Sequence, residues 1–254
     1  MPTTCCSRST VLRWLRHTPE TDTSERNYGP LDRGRRVFRG QDVTRTRHPL
    51  FARVYGWTAP AMEKTGVADH RAELLAGLTG RVVEVGAGSG LNFAHYPRTV
   101  SEVLAVEPEP HLRRLAQRSA AIAPVPVLVV GGEASHLPTD DSSFDVAVVS
   151  LVLCSVSDQR VALAELHRVL LPGGRLRFYE HVRSDGLRRA RLQDRIDWIW
   201  PLFSGGCHAN RDTEAAIADV GFRIESCRRF EFGPRFAAPV SPHVIGEAVR
   251  LRRL

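Results

Sequence analysis

The chain has 254 residues, 43% of them hydrophobic, enough to bury one substantial core. Its 35 basic and 28 acidic side chains leave a formal charge of +7. Only one basic residue is a lysine, Lys64, and residues 1–48 hold ten arginines against five acids, so most of the excess lies ahead of any motif and argues weakly for a phosphate-reading surface.

Residues 1–47 are rich in Arg, Thr, Ser and Pro, and Val11, Leu12, Trp14 and Leu15 are their one apolar cluster. They read as a flexible basic arm, either loosely docked or touching a membrane peripherally through a short amphipathic helix. A single folded domain is expected over 48–254. Between Pro49 and Leu78, apolar residues at helical spacing (Phe51, Val54, Tyr55, then Leu74, Leu75, Leu78) predict leading helices that end at Thr79-Gly80.

The most informative stretch follows at residues 82–90, Val-Val-Glu-Val-Gly-Ala-Gly-Ser-Gly. A short apolar run reads as a buried parallel strand, and the glycines let the backbone turn tightly and approach a ligand. A dinucleotide-binding turn needs its third glycine at position 91, where Leu91 stands; here Gly86, Gly88 and Gly90 follow an acid, Glu84. A second run, Val103–Val106, ends in Glu107, where an acid at a strand tip accepts hydrogen bonds from ribose hydroxyls, and Pro108-Glu109-Pro110 then starts a helix over 109–121. Further runs are Val127–Val130, leading to Gly131-Gly132-Glu133-Ala134, and Val146–Ser150. A helix over 158–171 and a fifth run into Phe178-Tyr179-Glu180-His181 come next. A helical segment to about Trp200, a loop over 201–210, a helix over 212–220 and closing strands over 222–232 and 243–250 complete the pattern. Strands alternating with helices predict a parallel sheet covered on both faces, with the ligand at the carboxyl ends of its strands.

Residues 49–250 resemble class I S-adenosylmethionine-dependent methyltransferases of the UbiE/methyltransferase-11 type. Several strings are similar to a narrower group, the methyltransferase-like thiol S-methyltransferases and their bacterial relatives: Gly90-Leu91-Asn92-Phe93-Ala94-His95-Tyr96-Pro97, Leu151-Val152-Leu153-Cys154-Ser155-Val156, Glu180-His181-Val182, Gly205-Gly206-Cys207-His208-Ala209-Asn210 and Pro242-His243-Val244-Ile245-Gly246. Animal members carry an amino-terminal hydrophobic anchor, where this chain has an arginine-rich arm. The resemblance implies a three-layer Rossmann-like α/β fold with a seven-stranded sheet in the order 3-2-1-4-5-7-6, strand 7 antiparallel. It implies S-adenosylmethionine as cofactor, bordered by Gly86, Gly88 and Gly90, with Glu84 near the methionine amino group and Asn92 beside the turn. It further implies that Glu107 holds the ribose, that Pro108 and Ala134 flank adenine, that Glu133 accepts from the exocyclic amine, and that Ser150 lines the path to the acceptor.

The acceptor is expected to be a small molecule. A thiol is favoured, and oxygen or carbon of a quinone, phenol or phospholipid headgroup is the alternative. Nucleic acid is disfavoured, because Ser150-Leu151-Val152-Leu153 lacks the Asp/Asn-Pro-Pro-aromatic string that seats a flipped base. His181, at the end of the fifth strand, is the candidate general base, with a strand-capping role as the alternative. His208 reads as a loop residue, Trp198 and Trp200 as core or pocket wall, Asp197 as a polar handle beside them, and Cys154 as a small buried residue. The five cysteines (Cys5, Cys6, Cys154, Cys207, Cys227) form no C-x-x-C pair and no His/Cys zinc spacing, so no metal is expected. No apolar run is long enough to cross a bilayer and no leader is evident, so a reducing cytoplasm is the expected location.

Overall fold

The computed structural model describes residues 53, 66–233 and 235–251. The expectations for the arm over 1–47, and for helices before residue 66, lie outside the described residues.

Seven strands form one sheet: β1 (Gly80–Val85), β2 (Val100–Val106), β3 (Val127–Val130), β4 (Phe144–Ser150), β5 (Leu170–His181), β6 (Phe222–Glu231) and β7 (Pro242–Arg250). Their order is β3-β2-β1-β4-β5-β7-β6. The first five pair in parallel, whereas β7 runs antiparallel to both β5 and β6. This is the order and polarity expected. The central strands are apolar runs, not alternating ones, because both faces are covered: Val82, Val83, Val103–Val106 and Val146–Val149 are all buried. At the edge, β6 turns Arg223, Glu225, Arg228 and Arg229 to solvent, a charged edge that resists pairing with another chain.

The helices are α1 (Ala68–Leu75), α2 (Pro110–Ala120), α3 (Gln159–Val169), α4 (Leu187–Ile196), α5 (Trp200–Phe203) and α6 (Thr213–Asp219). Their starts are encoded locally. Glu109 accepts from the His111 amide ahead of Pro110, Asp158 accepts from the Arg160 and Val161 amides, and Asp212 accepts from the Ala215 amide. α1 puts Leu74 and Leu75 into a core shared with Phe93, Tyr96 and Val103.

The segment after β5 departs from expectation. The predicted single helix to Trp200 breaks after Ile196, and α5 occupies the start of the predicted loop. Trp198 is 76% exposed, so it is neither core nor a closed wall. Leu202 and Phe203 are also exposed.

Candidate active site

The glycine turn leaves β1 at the carboxyl edge of the sheet. The Gly86 and Ala87 amides both donate to the Val106 carbonyl, at 2.8 and 3.2 Å, which ties the turn to the end of β2. Gly86 has φ +69°, and a Cβ there would stand 2.5 Å from a Val152 methyl; Gly90 has φ +80°, and its Cβ would stand 2.6 Å from the Phe93 ring. Neither position accepts a side chain.

Glu107 completes this link. Its Oε2 accepts from the Gly88 amide at 2.7 Å and its Oε1 from the Glu109 amide at 2.9 Å. Burial pushes its carboxyl up to about 7, although both amides and Arg113 favour the carboxylate.

Behind the turn lies a chain of buried polar groups. Arg71 donates to Asn92 Oδ1 at 2.7 Å, Asn92 Nδ2 donates to Glu84 Oε1 at 2.9 Å, and the Tyr96 hydroxyl donates to Glu84 Oε2 at 2.6 Å. Burial pushes Glu84 up to about 7, against those hydrogen bonds and the Arg71 charge. The Tyr96 hydroxyl is raised as well, first by burial and then by the neighbouring carboxylate.

A cleft at this edge is lined by Arg71, Glu84, residues 86–89, Leu91, Asn92 and Ser150. Glu84, Gly86, Gly88, Asn92 and Ser150 were all anticipated, and they are brought together. Gly90 starts the short 3-10 helix Leu91–His95 beside the cleft. Glu107 joins through Gly88. Pro108, whose carbonyl accepts from Arg113, follows it. Glu133 and Ala134 stand in the turn beyond β3, outside the cleft lining, where the Glu133 carbonyl accepts from the His136 amide.

Sequence reasoning missed Arg71 and Ser89. Arg71 stands three and four positions before Leu74 and Leu75 on the buried face of α1, and a charge on an apolar helix stripe is the signal that marks it. Ser89 left no signal.

His181 ends β5 opposite His243 of β7, with ring centroids 4.3 Å apart. Its Nδ1 lies 3.5 Å from Cys207 Sγ and 3.8 Å from Cys154 Sγ. Burial works against an imidazolium here, but the Cys207 sulfur and the Glu180 carboxylate together hold His181 above its usual value. A hydrogen bond from Cys154, and then His181, holds the Cys207 thiol well below the usual range; Cys154, donating to Cys207 and buried, is pushed the other way. Cys154 is thus buried as expected but is not merely packing. His208 pairs with Asp197 at 3.0 Å and so fastens its loop to the end of α4.

Two buried hydroxyls lining the cleft, Ser89 Oγ and Ser150 Oγ, have no hydrogen-bond partner among the described residues. Unpaired donors, a bare main-chain bend that no Cβ can enter, and two carboxylates with raised pKa suit a cationic ligand carrying hydroxyls and a carboxylate. A sulfonium nucleoside of an amino acid has those groups, and the residues present fit it.

Comparison with known proteins bears on the same residues. The methyltransferase domain family matches residues 83–178. A thiol S-methyltransferase of Mus musculus, TMT1B, is 37% identical over 183 residues, 69% of this chain and 74% of that protein. A demethylmenaquinone methyltransferase of Thermobifida fusca (strain YX) is 38% identical over 96 residues, 37% of this chain and 41% of that protein. Among solved structures, a SAM-dependent methyltransferase from Methanosarcina mazei is 25% identical with a TM-score of 0.54, covering 68% of this chain and 93% of that one. The extent of the match to the mouse enzyme, laid over this strand order, makes the chain a member of the class I S-adenosylmethionine-dependent methyltransferases of the methyltransferase-11 type, with S-adenosylmethionine as its cofactor.

Proposed function

We propose that the protein methylates a small thiol. The observation that carries this reading is the match, along two thirds of the chain, to proteins named thiol S-methyltransferases. The cofactor supplies an electrophilic methyl group on a sulfonium, so the protein's tasks are to hold it, orient the acceptor and exclude water. Glu107 takes the ribose hydroxyls and Glu84 the amino group, with Asn92 and the amides of 86–90 around the methionine portion. Pro108 and Ala134 flank adenine, Glu133 accepts from its amine, and Ser150 stands between cofactor and acceptor.

A thiol must lose its proton before it attacks, and it does so near neutral pH with modest help. His181 is the group for that proton. Its Nδ1 side is taken by Cys207, so Nε2 is the nitrogen that receives it. The raised His181 pKa places the acid limb of the kcat/KM profile above pH 6.5, the ordinary histidine value. His181→Ala should remove that limb, and a profile that keeps it refutes the role.

Methylation of a quinone is the second reading, favoured by the shorter match to a demethylmenaquinone methyltransferase. Transfer of a labelled methyl group to a panel of small thiols, quinones and phenols separates the two. Turnover confined to oxygen or carbon acceptors would overturn the thiol assignment. A reducing compartment such as the cytoplasm suits Cys154 and Cys207 as thiols, and among the described residues no helix is long and apolar enough to cross a membrane.

A further inference from the structure

We propose that Cys154, His181 and Cys207 form a three-ligand site for one thiophilic divalent cation of the zinc class, with its fourth position left to an exogenous ligand. One ligand atom from each residue lies within 4.8 Å of the others. The two imidazole-to-sulfur distances, 3.5 and 3.8 Å, are close to the edge of a tetrahedron around such an ion. Bonds of about 2.3 Å to sulfur and about 2.0 Å to nitrogen put those atoms roughly 3.5 Å apart. Both imidazole-to-sulfur edges are thus already at the spacing that an ion requires.

The three residues are 26 positions or more apart, which is why no metal spacing appears in the sequence. The fold delivers them from separate places: the loop after β4, the last residue of β5 and the loop after α5. Each is held from behind. The His208 amide donates to the Cys154 carbonyl at 2.7 Å and thereby locks the second cysteine loop against the first. The wholly buried Glu180 carboxylate accepts from the Val152, Leu153 and Cys154 amides at 2.9, 2.9 and 3.0 Å. His181 is fixed by its pairing in the sheet. Such supporting contacts are what a preformed metal site requires.

The donor set selects the ion. Two sulfurs and an imidazole suit zinc-class metals and exclude magnesium and calcium, which take oxygen ligands. Two thiolates also cancel the charge of a dication where both cysteines are nearly fully buried. Among the described residues the cluster has three ligands, and three protein ligands mark a site that keeps a position for an incoming group. Loading has one further consequence. An ion on Nδ1 leaves the His181 proton on Nε2, so the general-base role of His181 belongs to the ion-free chain, and the ion-loaded chain must lose that role. The inference does not depend on the methyl-transfer reading, since ion binding is read without turnover.

The test uses the full-length chain, stripped of metal and kept reduced with a phosphine, titrated with cobalt(II) as a spectroscopic substitute for zinc. One equivalent per chain should bind, with an intense sulfur-to-cobalt charge-transfer band and the visible bands of a tetrahedral ion, both abolished by adding zinc. Cys5→Ser/Cys6→Ser and Cys227→Ser should bind as the unaltered chain does. Cys154→Ser, Cys207→Ser and His181→Gln should each weaken binding beyond the roughly 10–100-fold that follows loss of a supporting partner alone. Cys207→His should retain an ion with a diminished charge-transfer band, which guards against a variant that fails to fold. Absence of the bands, their survival in Cys154→Ser or Cys207→Ser, or an octahedral spectrum would overturn the site.

Discussion

Glu107 does two jobs that a single substitution can separate. Its oxygens already hold the Gly88 and Glu109 amides, and under the proposed function they also take the ribose. Glu107→Ala removes charge-assisted hydrogen bonds of about 1.5–3 kcal/mol each and strands two amides. The dissociation constant for S-adenosylmethionine, measured by titration calorimetry, should rise at least about 100-fold; unchanged affinity would refute the assignment. Gly86→Ala should be as damaging for a different reason. With φ at +69° and Val152 only 2.5 Å from the added carbon, the turn must deform, and unfolding in urea should show a loss of about 1–3 kcal/mol. Loss of cofactor affinity should accompany it. Both residues were legible from the chain alone, because a glycine bend behind an acid and a second acid at the next strand tip have few other uses. Ser89 was not, since only the cavity it faces makes it notable, and Arg71 was marked only by a charge on the apolar stripe of α1.

Among the elements, β4 and β5 carry the most consequential junction. Glu180 sits in the fifth strand but serves the loop after the fourth, accepting three of its amides. Glu180→Ala leaves three largely buried donors unpaired at roughly 1–3 kcal/mol apiece, and an unfolding free energy, from urea denaturation, lowered by about 3 kcal/mol or more is expected. A change below about 1 kcal/mol would mean that the loop finds other partners. Local sequence announces the helix starts, because Glu109, Asp158 and Asp212 each satisfy an amide two or three residues on. It misplaces the segment after β5 because Trp198, Leu202 and Phe203 lie at helical spacing whether they face the core or solvent.

For the molecule as a whole, the buried acids set a pH dependence. Glu84 has an ordinary value of 4.5 and is pushed up to about 7 by burial. Between those values the folded chain keeps a proton that the unfolded chain has released, so stability falls as pH rises through the window. A shift of that size corresponds to on the order of 3 kcal/mol. Glu84→Gln removes this contribution while keeping an acceptor for Asn92 and a donor for the Tyr96 hydroxyl, which can turn to accept. The cofactor-free variant should therefore gain stability relative to the unaltered chain as pH is raised from about 5 to 8, followed by thermal unfolding. Parallel curves for the two proteins would show that Glu84 does not titrate in this range.

The sequence by itself determined the alternation of strand and helix, the parallel character of the central sheet and the place of the cofactor turn. Each follows from local physics: apolar runs buried on both faces, helix caps within two or three residues, and glycines where the main chain must bend. Tertiary structure alone decided that Arg71, Asn92, Tyr96 and Glu84 form one buried chain of hydrogen bonds. It also decided that Cys154, His181 and Cys207 converge. The first is assembled where α1 meets β1 and the short helix that follows the glycine turn, and the second where the loop after α5 closes on the ends of β4 and β5; neither meeting is written in local sequence.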